Sequence, residues 1–376
     1  MPYTSRTYDI GSTRFHELYQ TGMTGTGITG ISISERGFIV NSAAARLKRA
    51  EDKIEIMQGQ SPEVIARAFE ADPNARLSAM NSILMIPWAN RMIGPVEIRD
   101  SVPCVKVDFM GDTRYVPTNF EDRYRLHGLA YSNEYQDIRT FKLPSGGIAL
   151  TGTTMITGEQ WFSDLLIEHT IGITDGFMIR NVKVTNTGNS SAPVSVGEHP
   201  YFRIPESQNR ADVTFKIPAT STILLGDDGN PDFTENPIKP VKYSPLAELF
   251  AAGRKLENIN LNNSFLRPQR NTPDALRGVE AGVLFKSAGY GVFVSTGYSQ
   301  SVNVLHAFAP LGTQHPADGK AVALEFQGNL LAPLCPDWEL FSPLDFGELL
   351  DPSGLSILKP GQSMEWDVAH TARDLD

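Results

Sequence analysis

Four stretches of this sequence interrupt apolar runs with side chains that can move a proton or hold oxygen atoms. In Val194-Ser-Val-Gly-Glu-His-Pro-Tyr-Phe-Arg203, strand alternation places Val194 and Val196 on one face and Ser195, Gly197 and His199 on the other. An imidazole titrates near pH ~6.5, so His199 can donate or accept a proton close to neutrality. In Ala321-Val-Ala-Leu-Glu-Phe-Gln-Gly328, the same period puts Val322, Leu324 and Phe326 on one face and Ala323, Glu325 and Gln327 on the other, which makes Glu325 a candidate general base. Met85-Ile-Pro-Trp-Ala-Asn-Arg-Met-Ile-Gly94 offers Asn90 and Arg91, whose guanidinium can bind ligand oxygens through several donors. Tyr124-Arg-Leu-His-Gly-Leu-Ala-Tyr131 offers His127 beside Gly128, where a missing Cβ permits close approach of a ligand to the backbone. Singly, each has an ordinary structural explanation: a hydrogen-bonded core histidine, an ion-paired arginine, a solvated carboxylate. Together they offer an acid, a base and groups to orient oxygen.

Such residues need a rigid frame, and the rest of the chain supplies strands. Short β-branched and aromatic runs broken by Gly, Pro, Asn and Asp recur at Ile28–Ile33, Val105–Phe109, Phe177–Val184, Val194–Phe202, Val213–Ile217, Val292–Thr296, Val302–Phe308 and Val322–Phe326. With 32 Gly and 25 Pro the runs lie too close for alternating βαβ units, which predicts an all-β fold of antiparallel strands. One helix is predicted, with Ser61 as cap, Pro62 at its first position, Glu63 at the positive end and an apolar face of Val64, Ile65, Ala68 and Phe69. Ala43–Met57 reads as helix or strand with a solvated, mixed-charge face. No repeat divides the chain. Loops such as Gly226–Pro240 and Arg267–Asp274 interrupt strands that then resume, so residues 1–376 are expected to form one domain with a helical insertion near 42–79.

The 376 residues carry 43 acidic and 33 basic side chains, a formal charge of −10, which disfavours nucleic acid and anionic lipid as partners. Cys104 and Cys335 stand far apart, outside any Cys-x-x-Cys, which argues against a disulfide framework or thiolate zinc site and fits a reducing, cytoplasmic location. No signal peptide or membrane-spanning apolar run is evident. Gly25-Thr-Gly-Ile-Thr-Gly30 matches a dinucleotide fingerprint only in letters, because Ile31–Ser34 continues as strand where a helix must begin. Nucleophile-elbow, phosphate-loop and zinc motifs are missing from the sequence.

The four polar stretches occur in an order that resembles the aldose 1-epimerase (galactose mutarotase) family. Asn90-Arg91 is similar to that family's Asn-Arg motif and Leu126-His-Gly128 to its first histidine motif. The run from Ile179 through Val182-Lys-Val-Thr-Asn-Thr-Gly188 to His199-Pro-Tyr-Phe202 resembles its central strands and second histidine motif. Leu324-Glu-Phe-Gln327 resembles the carboxylate motif, and Leu358-Lys-Pro-Gly361 with Met364-Glu-Trp366 the closing turn and strand. The resemblance spans about residues 80 to 370. It implies a large antiparallel β-sandwich (a galactose mutarotase-like supersandwich), an open sugar site and no required cofactor or metal. It also implies His199 as general acid, Glu325 as general base, and Arg91 and His127 as substrate-orienting residues. Asn90 joins the substrate-binding set, as does Trp161, whose indole, like that of Trp88, suits stacking on a sugar.

At one position the sequence departs from the family. Where an aspartate usually binds sugar hydroxyls, Leu261-Asn-Asn-Ser-Phe265 offers Asn262, which accepts through its carbonyl without a carboxylate's charge. Three alternatives to a mutarotase of free aldoses therefore stay open: a non-catalytic carbohydrate-binding protein, a metal-dependent β-fold enzyme using His127, His199, His306 and Glu325, and a sugar-phosphate epimerase drawing on Arg123, Arg125 and Arg203. The expected ligand is a small carbohydrate, and the expected state a monomer or homodimer.

Overall fold

The computed structural model describes residues 3–22, 26–48, 52–72, 81–243, 253–266, 279–296, 302, 304–338 and 353–376. Antiparallel strands dominate, as expected for an all-β sandwich. The most regular sheet has eight strands, with Gln136–Lys142, Ile148–Ile156, Leu165–Thr174 and Phe177–Asn186 in sequential order. The C-terminal strand Ser363–Asp374 then inserts between Phe177–Asn186 and Tyr290–Ser295. Alternate residues of these strands, among them Ile167, Ile171, Val182, Val184, Trp366 and Val368, are buried in the main core, as period-two patterning requires.

A second eight-stranded sheet supplies the other half of that core through Phe265, Leu305, Ala307, Val322, Leu324 and Phe326. Its centre runs Leu261–Leu266, Val304–Ala309, Ala321–Gln327, then Gly197–His199 and Ile83–Met85. Tyr201–Arg203 also pairs with Ala321–Gln327. The run expected as one strand over Val194–Phe202 is thus three pieces, Ala192–Val194, Gly197–His199 and Tyr201–Arg203. Pro200, which has no N–H to give a ladder, stands between the last two. The first five strands, Tyr3–Ile10, Thr13–Gln20, Gly27–Ser34, Ile39–Arg46 and Ile54–Glu55, form a separate sheet. Within the ambiguous stretch Ala43–Met57, the described residues include strand at 43–46 and 54–55 and the isolated Met57–Phe202 bridge, and no helix.

The helix is Pro62–Ala71, as its capping pattern predicts, although the Ser61 side chain makes no capping hydrogen bond. Its apolar face is Ile65, Ala66 and Phe69 with Ala68 partly buried beside them, whereas Val64 is exposed. This face packs with Phe15, Ile39, Ile83, Met85 and Tyr131, so the insertion buttresses the strand Ile83–Met85. Parts of the insertion (49–51 and 73–80), Gly25 of the glycine-rich turn and the loop Arg267–Asp274 lie outside the described residues. No helix among the described residues is long and apolar enough to cross a membrane.

Candidate active site

Register on the second sheet determines which side chains meet. Ser264 lies opposite His306, and His306 opposite Glu325. On the next strand, Gly197 pairs with Gln327 and Tyr201 with Ala323, so the intervening His199 falls beside Glu325 across the break at Pro200. The result is a contact of 3.1 Å between His199 Nε2 and Glu325 Oε1. Residues 126 positions apart in the chain thus form one unit, on the face opposite the core residues Val322, Leu324 and Phe326. A Cβ on Gly197 would lie 2.7 Å from that of Ala89, so only glycine allows the strand to lie this close.

Burial sets the electrostatics of the pair. The Glu325 side chain is 1% exposed, and desolvation pushes its carboxyl well above the usual range, against a 2.6 Å hydrogen bond from Gln327 Nε2 to its Oε2. Desolvation likewise pushes His199 well below the usual imidazole value, helped by nearby His127, His306 and His315. Both shifts favour uncharged forms, so the pair holds one proton that lies on the carboxyl or, after transfer across the 3.1 Å contact, on the imidazole.

His127 joins from a strained turn. Its φ is +66°, its N–H donates to the Asn90 carbonyl at 2.7 Å, and its ring meets the His199 ring edge-on with centroids 5.1 Å apart. Nδ1 lies 3.1 Å from Met85 Sδ, on the strand that the helix supports. Gly128, at φ +69°, is required for a reason other than ligand access. A Cβ there would sit 2.2 Å from the Ile86 carbonyl oxygen, so the close approach is by the protein's own backbone. Asn90 (φ +60°) contributes through its carbonyl as the residue joining Arg91 to His127.

Arg91 lies over the Tyr124 ring at 4.9 Å and donates through Nη1 to the Asp228 carbonyl (3.1 Å) and Asn230 Oδ1 (2.9 Å). Burial lowers its pKa, yet an arginine stays charged under any working condition. Gly229 (φ +73°) folds this loop over the cluster, and a Cβ there would be 3.4 Å from Arg91 Nη1 and 3.7 Å from Asn262 Nδ2. Asn262 therefore does share the site with Arg91. His306, held by Ser264 Oγ at 2.8 Å, has a pKa lowered to about 3, first by burial and then by Arg91.

Trp161 belongs elsewhere. It is fully buried in the core, packs on Trp88 with centroids 5.0 Å apart and donates Nε1–H to the Pro193 carbonyl, so neither indole presents a face to a ligand. Arg123 stacks on Tyr124, Arg125 donates to the Gly128 and Pro117 carbonyls, and Arg203 donates to Gln58. Among the described residues no three His, Cys, Asp or Glu side chains are placed to hold a metal ion.

Other members were not singled out from the sequence. Tyr201 stacks on His199 (4.6 Å, 20°), its hydroxyl 3.5 Å from His199 Nε2 and 3.4 Å from His315 Nε2, while Phe308 stands edge-on to all three rings. Alternation from His199 pointed to Tyr201 and alternation from Glu325 to Gln327. Nothing local in Gly226–Asn230 signals that it closes over Arg91.

The sequence matches no family model, and comparison with curated proteins finds no match. Comparison with solved structures does. A galactose mutarotase-like protein from Clostridium acetobutylicum superposes with a TM-score of 0.74 at 13% identity, covering 99% of both chains. A galactose 1-epimerase from Lactobacillus acidophilus NCFM gives 0.68 at 12% identity over 100% of this chain and 99% of its own. An aldose epimerase homologue from C. elegans gives 0.68 at 16%, over 93% and 97%. The fold is that of the galactose mutarotase-like structures, over their full length.

Proposed function

We propose that this protein is an aldose 1-epimerase, interconverting the α and β anomers of a sugar through ring opening and closure. The observation that carries the proposal is the buried 3.1 Å contact between His199 Nε2 and Glu325 Oε1, with His127, Arg91 and Asn262 around it. The reaction removes a proton from the anomeric hydroxyl and delivers one to the ring oxygen. These two oxygens are bonded to the same carbon, so the acid and the base must converge on one small site, each within hydrogen-bond reach (~3 Å) of its own oxygen.

In the productive form the shared proton is on His199 and Glu325 is ionised. Glu325 accepts the hydroxyl proton, the bond from the anomeric carbon to the ring oxygen breaks, and that oxygen takes the proton from His199 Nε2. The products are an open aldehyde, a neutral imidazole and a carboxylic acid. Rotation about the bond next to the carbonyl turns its other face to the hydroxyl, and closure with the roles reversed restores both groups. An aldehyde that leaves early does no harm to the cycle, because the carboxyl proton can return directly to Nε2. Arg91 and His127 orient hydroxyls, and the orientation together with the paired acid and base accounts for the acceleration.

The test is the rate at which freshly dissolved single anomers equilibrate, followed by polarimetry or exchange NMR across a panel of free and phosphorylated aldoses. At least one sugar should equilibrate faster with the wild-type protein, and the Glu325→Gln protein should bind it without turnover. Wild-type rates from both E325Q and H199N on every sugar would end this reading.

A further inference from the structure

The strand Gly197–His199 carries titratable side chains on both faces. His199 points to the catalytic pair, and its neighbour Glu198 points into the sandwich, where its side chain is 0% exposed. There Glu198 meets Arg180 from Phe177–Asn186 and His370 from Ser363–Asp374, two central strands of the opposite sheet. His370 Nε2 lies 2.8 Å and 3.0 Å from the two carboxylate oxygens, and Arg180 Nη1 lies 3.5 Å from Oε2. The guanidinium also donates to the Ile83 carbonyl (3.3 Å) and the Ser82 carbonyl (3.2 Å), and Ile83 is the residue paired in register with His199. One arginine thus reaches across the core and ties down the strand that bears the catalytic imidazole together with one strand paired to it.

Three polar groups so fully desolvated contribute little to stability compared with apolar side chains of the same volume. Their position accounts for them better. On the reading of the site as an acid–base pair, we infer that the Arg180–Glu198–His370 cluster is a positioning device: it fixes the strand bearing His199, and its carboxylate sets the electrostatic potential at Glu325. In support, burial first and the charge of Glu198 as a smaller addition hold the Glu325 carboxyl above its usual range. Glu198 faces Arg180 and His370 across the core, with Tyr135 and His169 beyond Arg180. Glu325 faces His199, Gln327 and His306 on the other side of the sheet.

The test is Glu198→Gln against Glu198→Asp, read by kcat, KM and the pH–rate profile. Losing a negative charge makes the protonated forms of both Glu325 and His199 less favourable, so both limbs of the E198Q profile should move to lower pH by about half a unit. Its kcat should fall about 10-fold with KM nearly unchanged. E198D keeps the charge and should keep the limbs in place while losing part of kcat. Limbs that stay at the wild-type pH in E198Q would mark the cluster as purely structural and overturn the inference. If E198Q does not fold, the double variant E198Q/R180M leaves no buried ion pair broken, and a wild-type kcat in it has the same consequence. Should no sugar be turned over, the aldose reading fails independently. The inference is then decided by the titration of the His199 ring nitrogens, followed by 15N NMR in wild type and E198Q, or in the double variant: a shift to lower pH in E198Q, or a disordered His199 signal in E198Q/R180M, supports it, and unchanged behaviour refutes it.

Discussion

The two large sheets share a core but are built differently. In one, the strands Ile148–Ile156, Leu165–Thr174 and Phe177–Asn186 keep their register unbroken through nine or ten residues each. The sheet opposite is assembled in its working region from three-residue strands, Ile83–Met85, Gly197–His199 and Tyr201–Arg203, with a proline at the break and positive φ angles at Asn90 and His127 in the adjoining segments. Continuous ladders satisfy every backbone group and resist change, whereas interrupted ones free a side chain from strict alternation and let residues of distant segments converge. One sheet is a frame, and the other trades regularity for convergence.

That contrast can be broken by experiment. The largest effect is expected at the pair: Glu325→Gln should lower kcat by about 1,000-fold or more, with His199→Asn close behind, while thermal stability changes little. Wild-type turnover in both variants would remove the functional half of the comparison. On the frame, Ile171→Ala should cost about 2–5 kcal/mol of stability, measured by denaturant unfolding, while kcat/KM of the folded fraction is preserved.

A pH effect should separate His306 from the pair. With its pKa lowered from 6.5 to about 3 in the folded protein, His306 is neutral throughout the working range. The unfolded chain takes up this proton more readily, so stability is complete above pH 6.5 and is lost as pH falls toward about 3. His306→Asn should flatten that loss in acid unfolding curves; an unchanged acid unfolding curve would show that His306 is not held neutral by burial. The smallest effect is expected from Asn262→Asp, which places a carboxylate beside Arg91 and should change KM for a given aldose by only a few-fold, about 1 kcal/mol. A change in kcat larger than that in KM would place residue 262 in the chemistry itself.

Much of the fold was legible because strands announce themselves locally. Phe177–Asn186, Ala321–Gln327 and Gly27–Ser34 follow from β-branched runs between turn residues, and Pro62–Ala71 from its cap, its proline and its apolar spacing. Of the candidate site, Glu325, His199, His127, Arg91 and Asn262 were proposed from the sequence, since a polar residue on an apolar strand stands out and the order of the motifs resembles a known family. Trp161 was misplaced because an indole suits a ligand and a core equally well, and only its neighbours, Trp88 and the Pro193 carbonyl, distinguish the two. Gly128 was assigned to ligand access, whereas its freedom serves the Ile86 backbone. The loop over Arg91 and the Arg180–Glu198–His370 cluster left no local trace, because each depends on contacts between segments about 100 to 170 positions apart.

The chain on its own determined which residues form strands and which face of each strand His199 and Glu325 occupy, because backbone period and side-chain polarity act over a few neighbouring positions. The packing of the whole molecule decided that these two side chains stand 3.1 Å apart. It also decided that both are buried. Register between distant strands and the depth of burial are collective outcomes of core assembly, and no short stretch of sequence carries them.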